Sequence, residues 1–177
     1  TSSRLPGKVL MEAIDGISML EFMIQRVKKS TLIHDIVIAT TTNKEDDPIV
    51  MLCDKLNVKS YRGSENDVLL RVLEAHTEND SDIVVELTGD CPLIDYKIID
   101  QVIQVYLDNN YDYVSNSHVR SFPMGLDVEV FSTDLLRKIE KVALTQDDRE
   151  HVSLYIYNSN KFSTKEVIAP ENLFWPE

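Results

Sequence analysis

Three short segments bring together residue types suited to anion and metal chemistry. The first, SSRLPGK at residues 2–8, holds Ser2, Ser3, Arg4, Gly7 and Lys8. Glycine lets a backbone come close to a ligand, and Pro6 stiffens the turn. Arginine can grip phosphate oxygens in a fork, while lysine adds a compact charge. The segment lacks the GxxxxGKS/T spacing of a P-loop, so by itself it also reads as a surface loop with ordinary charges. The second segment is TGDCPLID at residues 88–95. Asp90 falls where a strand ends and a helix has not begun, a place where a carboxylate can hold Mg²⁺ beside a polyphosphate. It reads equally as a turn aspartate, and Asp95 is better placed to cap the next helix. Cys91 reads as a packing group, since nothing basic adjoins it in sequence. The third segment is YRGSENDVLLR at residues 61–71. Gly63 turns the chain, Ser64 suits the N-cap of the following helix, and Arg62 is expected to point into a cleft. Arg71 falls inside the helix and reads as a solvated charge. A weaker group is DDREHV at 147–152, with Arg149, Glu150 and His151 together. A His–Glu pair could do acid–base or metal work. One histidine without a second ligand at metal spacing favours a substrate-binding or packing role instead. His34, His76 and His118 have no partners at ligand spacing.

Composition narrows what these groups can serve. The 177 residues suit one domain, and 43% hydrophobic content is enough for a sizeable core. The formal net charge of −12 argues against a nucleic-acid backbone partner, which would need a basic face. It does not exclude a nucleotide, because a few local cations with Mg²⁺ can offset a triphosphate. No stretch approaches 18 uncharged apolar residues, so no membrane helix is expected. Cys53 and Cys91 make no disulfide framework, which with the absence of a signal-peptide pattern points to a cytoplasmic setting.

The elements that must position the groups alternate between strand and helix. Residues 18–30 form an amphipathic helix with Met19, Leu20, Met23, Ile24 and Val27 on one stripe. DIVIAT at 35–40 reads as a strand, 46–57 as a helix with Pro48 in its first turn, and 58–61 as a strand. Residues 65–77 form a helix, 82–89 a β-branched strand, 97–109 a helix and 112–116 a strand. The spacing predicts an α/β fold with a mostly parallel sheet covered by helices on both faces. GLDVEVF at 125–131 alternates Leu126, Val128 and Val130 against Asp127, Glu129 and Phe131, the pattern of a half-exposed strand with a polar face. Residues 132–142 start with a Ser132/Thr133 cap and form a helix, 147–158 form another, and 162–168 a last strand. Ligands of open α/β sheets sit beyond the carboxyl ends of strands, so the positions after residues 40, 61, 88 and 131 matter most.

Taken together, SSRLPGKVL, ATTTNKEDDPIV, YRGSENDVLLR, ELTGDCPLID, DYVSN, GLDVEVF and REHVSLYIYN in this order resemble the cytidylyltransferases of the spore-coat polysaccharide type. Those are relatives of the enzymes that make CMP-sialic acid and CMP-Kdo. The resemblance runs from residue 2 to about residue 170. It implies a Rossmann-like nucleotide-diphospho-sugar transferase fold, CTP as nucleotide and Mg²⁺ as metal. By that likeness Arg4 and Lys8 match a triphosphate-binding pair, with Ser2, Ser3 and Gly7 in the same loop. Asp90 matches a metal carboxylate. Arg62 and Ser64 match the segment that reads the cytosine, with Thr88 and Gly89 beside Asp90 in the nucleotide site. Asp127, Glu129, Arg149 and His151 fall in regions facing the acceptor sugar. Family members start with a hydrophobic strand before the loop and continue into a second acidic stretch. Residues 1–177 are therefore expected to be a single cytidylyltransferase domain lacking its N-terminal strand and C-terminal segment.

The reaction so implied is attack of a sugar hydroxyl on the α-phosphate of CTP, with pyrophosphate leaving. The acceptor would be a small acidic sugar, in surface polysaccharide or glycoconjugate synthesis. Such a sugar would need a local cation on this acidic chain, for which Arg120 and Arg149 qualify. Two alternatives share the sequence features. One is a metal-dependent glycosyltransferase of the same fold, disfavoured because its usual DxD is replaced here by Gly89-Asp90-Cys91. The other is a non-catalytic nucleotide-binding module. A homodimer through residues 117–160 is a further implication of the resemblance.

Overall fold

The computed structural model describes Leu5 and residues 7–171. A short hairpin leads the chain: β1 (Glu12–Ile14) and β2 (Ile17–Ser18) pair antiparallel. The turn between them, Asp15-Gly16, has positive φ at both residues (48° and 77°), the geometry that Asp-Gly supplies in tight hairpins. Helix α1 (Met19–Val27) follows at once, capped by the Ser18 hydroxyl, which accepts from the Glu21 N–H. Then come β3 (Val37–Thr41), α2 (Asp47–Leu56), β4 (Lys59–Gly63), α3 (Val68–Glu78), β5 (Ile83–Glu86), α4 (Tyr96–Leu107) and β6 (Tyr113–Ser115). The chain continues through β7 (Glu129–Ser132), α5 (Thr133–Glu140), α6 (Gln146–Glu150), α7 (Leu154–Asn158) and β8 (Thr164–Glu166). Residues 147–158 do not form one helix: the backbone of His151 is extended and divides α6 from α7.

Strands β3 and β4 pair in parallel, from Val37 opposite Lys59 to Thr41 opposite Gly63. A four-stranded sheet runs in the order β5-β7-β6-β8. Strand β7 is antiparallel to both β5 and β6, and β8 is parallel to β6. Three strands of that sheet therefore share one direction, and β7 is threaded between them in the other. This changes the geometry expected of residue 131. The end of β7 points away from the carboxyl ends of β5 and β6, and its beginning, around Asp127 and Glu129, reaches them.

Helices cover both faces. On one, α1 and α4 contribute Met23, Val27, Ile99, Val102 and Ile103 against Val114, Val128 and Val130. On the other, Leu69 of α3, Leu135, Leu136 and Ile139 of α5 and Ile156 of α7 pack on Val84, Tyr113 and Phe131. The half-exposed strand read from GLDVEVF is thus overturned. Phe131 is 0% exposed, because α3, α5 and α7 cover the face that alternation assigned to solvent. Among the described residues β3 and β5 each keep one edge without a ladder partner, and both line an apolar groove of about 600 Å³.

The turn from β3 into α2 is closed by a buried carboxylate. Asp46 accepts from Thr40 Oγ1 (2.8 Å), Thr41 N (3.0 Å) and Thr41 Oγ1 (2.6 Å). Burial pushes its carboxyl up, but the hydroxyls of Thr41 and Thr40 outweigh that and hold it below the ordinary value. Asp46→Ala leaves these donors unpaired in the interior and should lower the unfolding free energy by about 3 kcal/mol. Urea denaturation followed by circular dichroism checks it.

Candidate active site

The two most distant sequence segments meet. Gly7, in the left-handed region at φ 71°, starts the turn that carries Lys8. Lys8 Nζ lies 2.5 Å from Asp90 Oδ2, across 82 positions of sequence. Asp90 sits in the turn after β5, where Cys91 N donates to the Thr88 carbonyl (3.1 Å). The loop is anchored further along: Arg26 Nε of α1 donates to the Ile94 carbonyl (2.6 Å), and Asp95 caps α4 through Lys97 N. Thr88, Gly89 and Asp90 are exposed. The Lys8 ammonium holds the Asp90 carboxyl below its usual value, against the effect of burial, so Asp90 is ionised at neutral pH. Burial pushes the Cys91 thiol up, which suits packing rather than attack.

A second loop closes on this one. Gly125 has φ 86°, and a Cβ there would lie 3.8 Å from Cys91 Sγ. Beyond it Asp127 accepts from Arg120 Nη1 at 2.7 Å. Lys8–Asp90 and Arg120–Asp127 thus flank Cys91 as two partly exposed ion pairs. Ser2, Ser3 and Arg4 lie outside the described residues.

The other predicted basic groups are occupied differently. Arg62 is not directed into an open cleft. Its Nε donates to the Thr41 carbonyl (2.9 Å), Nη2 to the Asn43 carbonyl (2.6 Å) and Nη1 to Asp47 (2.5 Å), tying the end of β3 to the start of α2. Ser64 does not cap α3. Asp67 does, accepting from Leu70 N (3.0 Å), while the Ser64 hydroxyl accepts from Asp67 N (3.1 Å). Arg71 is not a solvated charge. It packs over Gly63, where a Cβ would come within 2.8 Å of Arg71 Cγ; its Nη1 donates to the Ser64 carbonyl, and its Nε is buried without a partner. Arg149 faces no open acceptor site. Its Nε donates to both oxygens of Asp67 (3.0 Å each) and its Nη1 to the Glu140 carbonyl (2.8 Å), joining α3, α5 and α6. His151 is exposed at the end of α6, with no side-chain hydrogen bond or ion pair among the described residues.

Glu129 belongs to a row that sequence reasoning did not assemble. The strand registers place Glu86, Glu129, Ser115 and Glu166 side by side across the four strands. All stand at the carboxyl ends of β5, β6 and β8. Ser115 Oγ donates to Glu166 (2.9 Å) and Ser117 Oγ to Glu129 (3.3 Å). Tyr113 OH and His118 Nε2 are 3.1 Å apart, and the His118 ring centroid lies 3.8 Å from that of Tyr157. Glu86 Oε2 is buried with no hydrogen-bond partner. Burial, and then the charge of Glu129, push the Glu86 carboxyl well above its ordinary value. Burial raises Glu129 as well, with Ser153, Tyr113 and Ser117 pulling the other way. Glu86 therefore holds its proton to higher pH than an ordinary glutamate, and the pair is harder to charge than two glutamates in water.

Asp90 offers one hard, ionised oxygen donor at a strand end. Among the described residues no three His, Cys, Asp or Glu side chains are grouped as a protein-only metal site would need. That donor set fits Mg²⁺, which takes one or two carboxylates and completes its shell with phosphate oxygens and water.

Paired helices around a largely co-directional sheet, with a lysine loop and a carboxylate loop meeting at its carboxyl edge, define a nucleotide-handling α/β protein. The family model for cytidylyltransferases matches residues 1–171, and the chain belongs to that family. It is 43% identical over 173 residues to an uncharacterised protein of Methanocaldococcus jannaschii, covering 97% of this chain and 70% of the relative. It is 32% identical over 182 residues to the spore coat polysaccharide biosynthesis protein SpsF of Bacillus subtilis, covering 99% of this chain and 74% of SpsF. The solved structure of a cytidylyltransferase from Leptospira borgpetersenii superposes with a TM-score of 0.90 at 36% identity, covering 95% of this chain and 71% of that one. No helix among the described residues is long and apolar enough to cross a membrane.

Arg149→Ala should destabilise the protein by about 2 kcal/mol, because it removes the tie between Asp67, Glu140 and their helices. Nucleotide affinity should change little. Thermal unfolding and calorimetric titration read the two effects separately. The raised Glu86 carboxyl makes a second prediction. A folded-state value above the unfolded one gives stability that is complete below the ordinary carboxyl range and is lost as pH rises through the folded value, each unit of rise being about 1.4 kcal/mol. Glu86→Gln carries no titrating proton, so its melting temperature should gain on that of the wild type as pH rises above the ordinary carboxyl range.

Proposed function

We propose that this cytidylyltransferase moves CMP from CTP to a hydroxyl of a small acidic sugar and releases pyrophosphate, in the synthesis of a surface polysaccharide or glycoconjugate. The observation that carries the reading is the meeting of Lys8 with Asp90. It puts an ammonium, which would serve phosphate oxygens, beside an ionised carboxylate at one strand end, in a chain of the cytidylyltransferase family.

In-line displacement asks little covalent work of the protein. The sugar oxygen forms a bond to the α-phosphorus as the bond to the β-phosphate oxygen breaks, and the hydroxyl proton is released. Lys8 would neutralise charge on the leaving phosphates, and the backbone around Gly7 allows their close approach. Asp90 would hold Mg²⁺ against phosphate oxygens; the ion, when bound, lowers the charge that builds on them. Arg120 stands across Cys91 from Asp90 and engages Asp127 through one nitrogen, leaving the rest of its fork for the acceptor's carboxylate. Asp127 and Glu129, at the same edge, would accept from acceptor hydroxyls. Arg149 has no part in this reading, since its guanidinium is committed to Asp67 and Glu140.

The test is calorimetric CTP binding, followed by pyrophosphate release with Mg²⁺ and a panel of acidic sugars. CTP should bind in preference to UTP, and at least one acid should turn over. Asp90→Asn should lower turnover by about 10²-fold or more with the fold intact. A folded protein that neither binds CTP nor releases pyrophosphate with any acceptor would rule the function out.

A further inference from the structure

The oxygen of Asp90 that a divalent cation would seek already holds a cation. Lys8 Nζ stands 2.5 Å from Oδ2, and the two side chains are 31% and 40% exposed. We propose that this ion pair is a resting latch, which keeps a divalent cation off Asp90 until a triphosphate draws Lys8 away, so that the metal enters with or after the nucleotide and not before it. The identity of the triphosphate rests on the function proposed above.

Three observations support the latch. An ammonium at that distance occupies the position of a hard cation on the same oxygen, and a divalent ion placed beside it is repelled at close range. Asp90 is not part of a group of three metal-binding side chains among the described residues, so it has little with which to compete for a free ion. The pair is partly exposed, and such ion pairs are weak enough to be exchanged for a better partner. A triphosphate changes both sides of the balance. It gives Lys8 a more highly charged partner, and its oxygens fill the coordination places that the protein leaves open. The same carboxylate then serves lysine in the free protein and metal in the complex.

The latch makes opposite predictions for two ligands of one variant. Lys8→Met keeps the length of the side chain and removes its charge. Mn²⁺, followed by the electron paramagnetic resonance of the free ion, should bind nucleotide-free Lys8→Met about tenfold more tightly than nucleotide-free wild type. CTP should bind the variant more weakly, by a similar factor. Lys8→Met/Asp90→Asn should lose the gain in Mn²⁺ affinity, which locates it at Asp90. In the wild type CTP should tighten Mn²⁺ binding by the factor by which Mn²⁺ tightens CTP. Lys8→Gln gives the same reading should the methionine variant fail to fold. Equal Mn²⁺ affinity in nucleotide-free wild type and Lys8 variants, or a gain that survives Asp90→Asn, overturns the latch. A folded wild type that binds no CTP would count against the proposed function, and the nucleotide-free Mn²⁺ comparison decides the latch in either case.

Discussion

Desolvation of a polar row governs how this molecule is put together. With helices on both faces of the four-stranded sheet, Glu86, Glu129, Ser115 and Glu166 cannot all turn to water, and each must find what it needs inside. The surroundings follow from that need. Ser117 and Ser153 lend hydroxyls to Glu129, Ser115 lends one to Glu166, and Tyr113 joins the row to His118. Glu86, left with an unpaired oxygen, answers with a carboxyl raised above its ordinary value. A row of this kind ties the carboxyl ends of β5, β6 and β8 and the start of β7 into one polar seam, on which the loops carrying Asp90 and Asp127 stand.

Charge is organised by the same scarcity. In a chain with 30 acidic and 18 basic residues, cations are the limiting partners. Arg62, Arg71 and Arg149 are used up on carbonyls, carboxylates and packing within the fold. Lys8 and Arg120 keep partly exposed pairs at the mouth of the site. The distinction is one of partners: Arg62 and Arg149 each donate to several protein acceptors, whereas Lys8 and Arg120 each hold one carboxylate.

Sequence reading and structure agree on what depends on local chemistry. The alternation of strand and helix, the cap at Ser132 and Asp95 ahead of α4 were all open to it. A family likeness spanning both loops assigned Lys8 to a triphosphate and Asp90 to a metal in one site, but not their ion pair. What sequence reading missed depends on distant neighbours. Period-two alternation in GLDVEVF showed which residues share a face, but the helices that bury both faces come from elsewhere in the chain. No residue pattern reports that β7 runs against β5 and β6. The fates of Arg62 and Arg149 turn on carbonyls and carboxylates that only tertiary contact supplies. Glu86, at the end of an Ile-Val-Val run, was not singled out, because its neighbour Glu129 lies 43 positions on. One miss was avoidable: Asp15-Gly16 between two apolar residues is a short-range hairpin signal.

The threading of β7 has a consequence for how the protein comes into being. Strands β5 and β6 follow one another in sequence, yet they do not touch; the strand that joins them is made last of the three. A chain growing from its N-terminus will have β5 and β6 complete, with helix α4 between them, and still lack the ladder that binds them. The sheet closes only when residues 129–132 arrive and enter a slot with a partner on either side. Non-local pairing of this kind slows folding, and until it happens two apolar strand edges stand open to neighbouring chains. The strand that brings Asp127 and Glu129 to the site is thus also the one whose arrival ends the chain's most vulnerable interval.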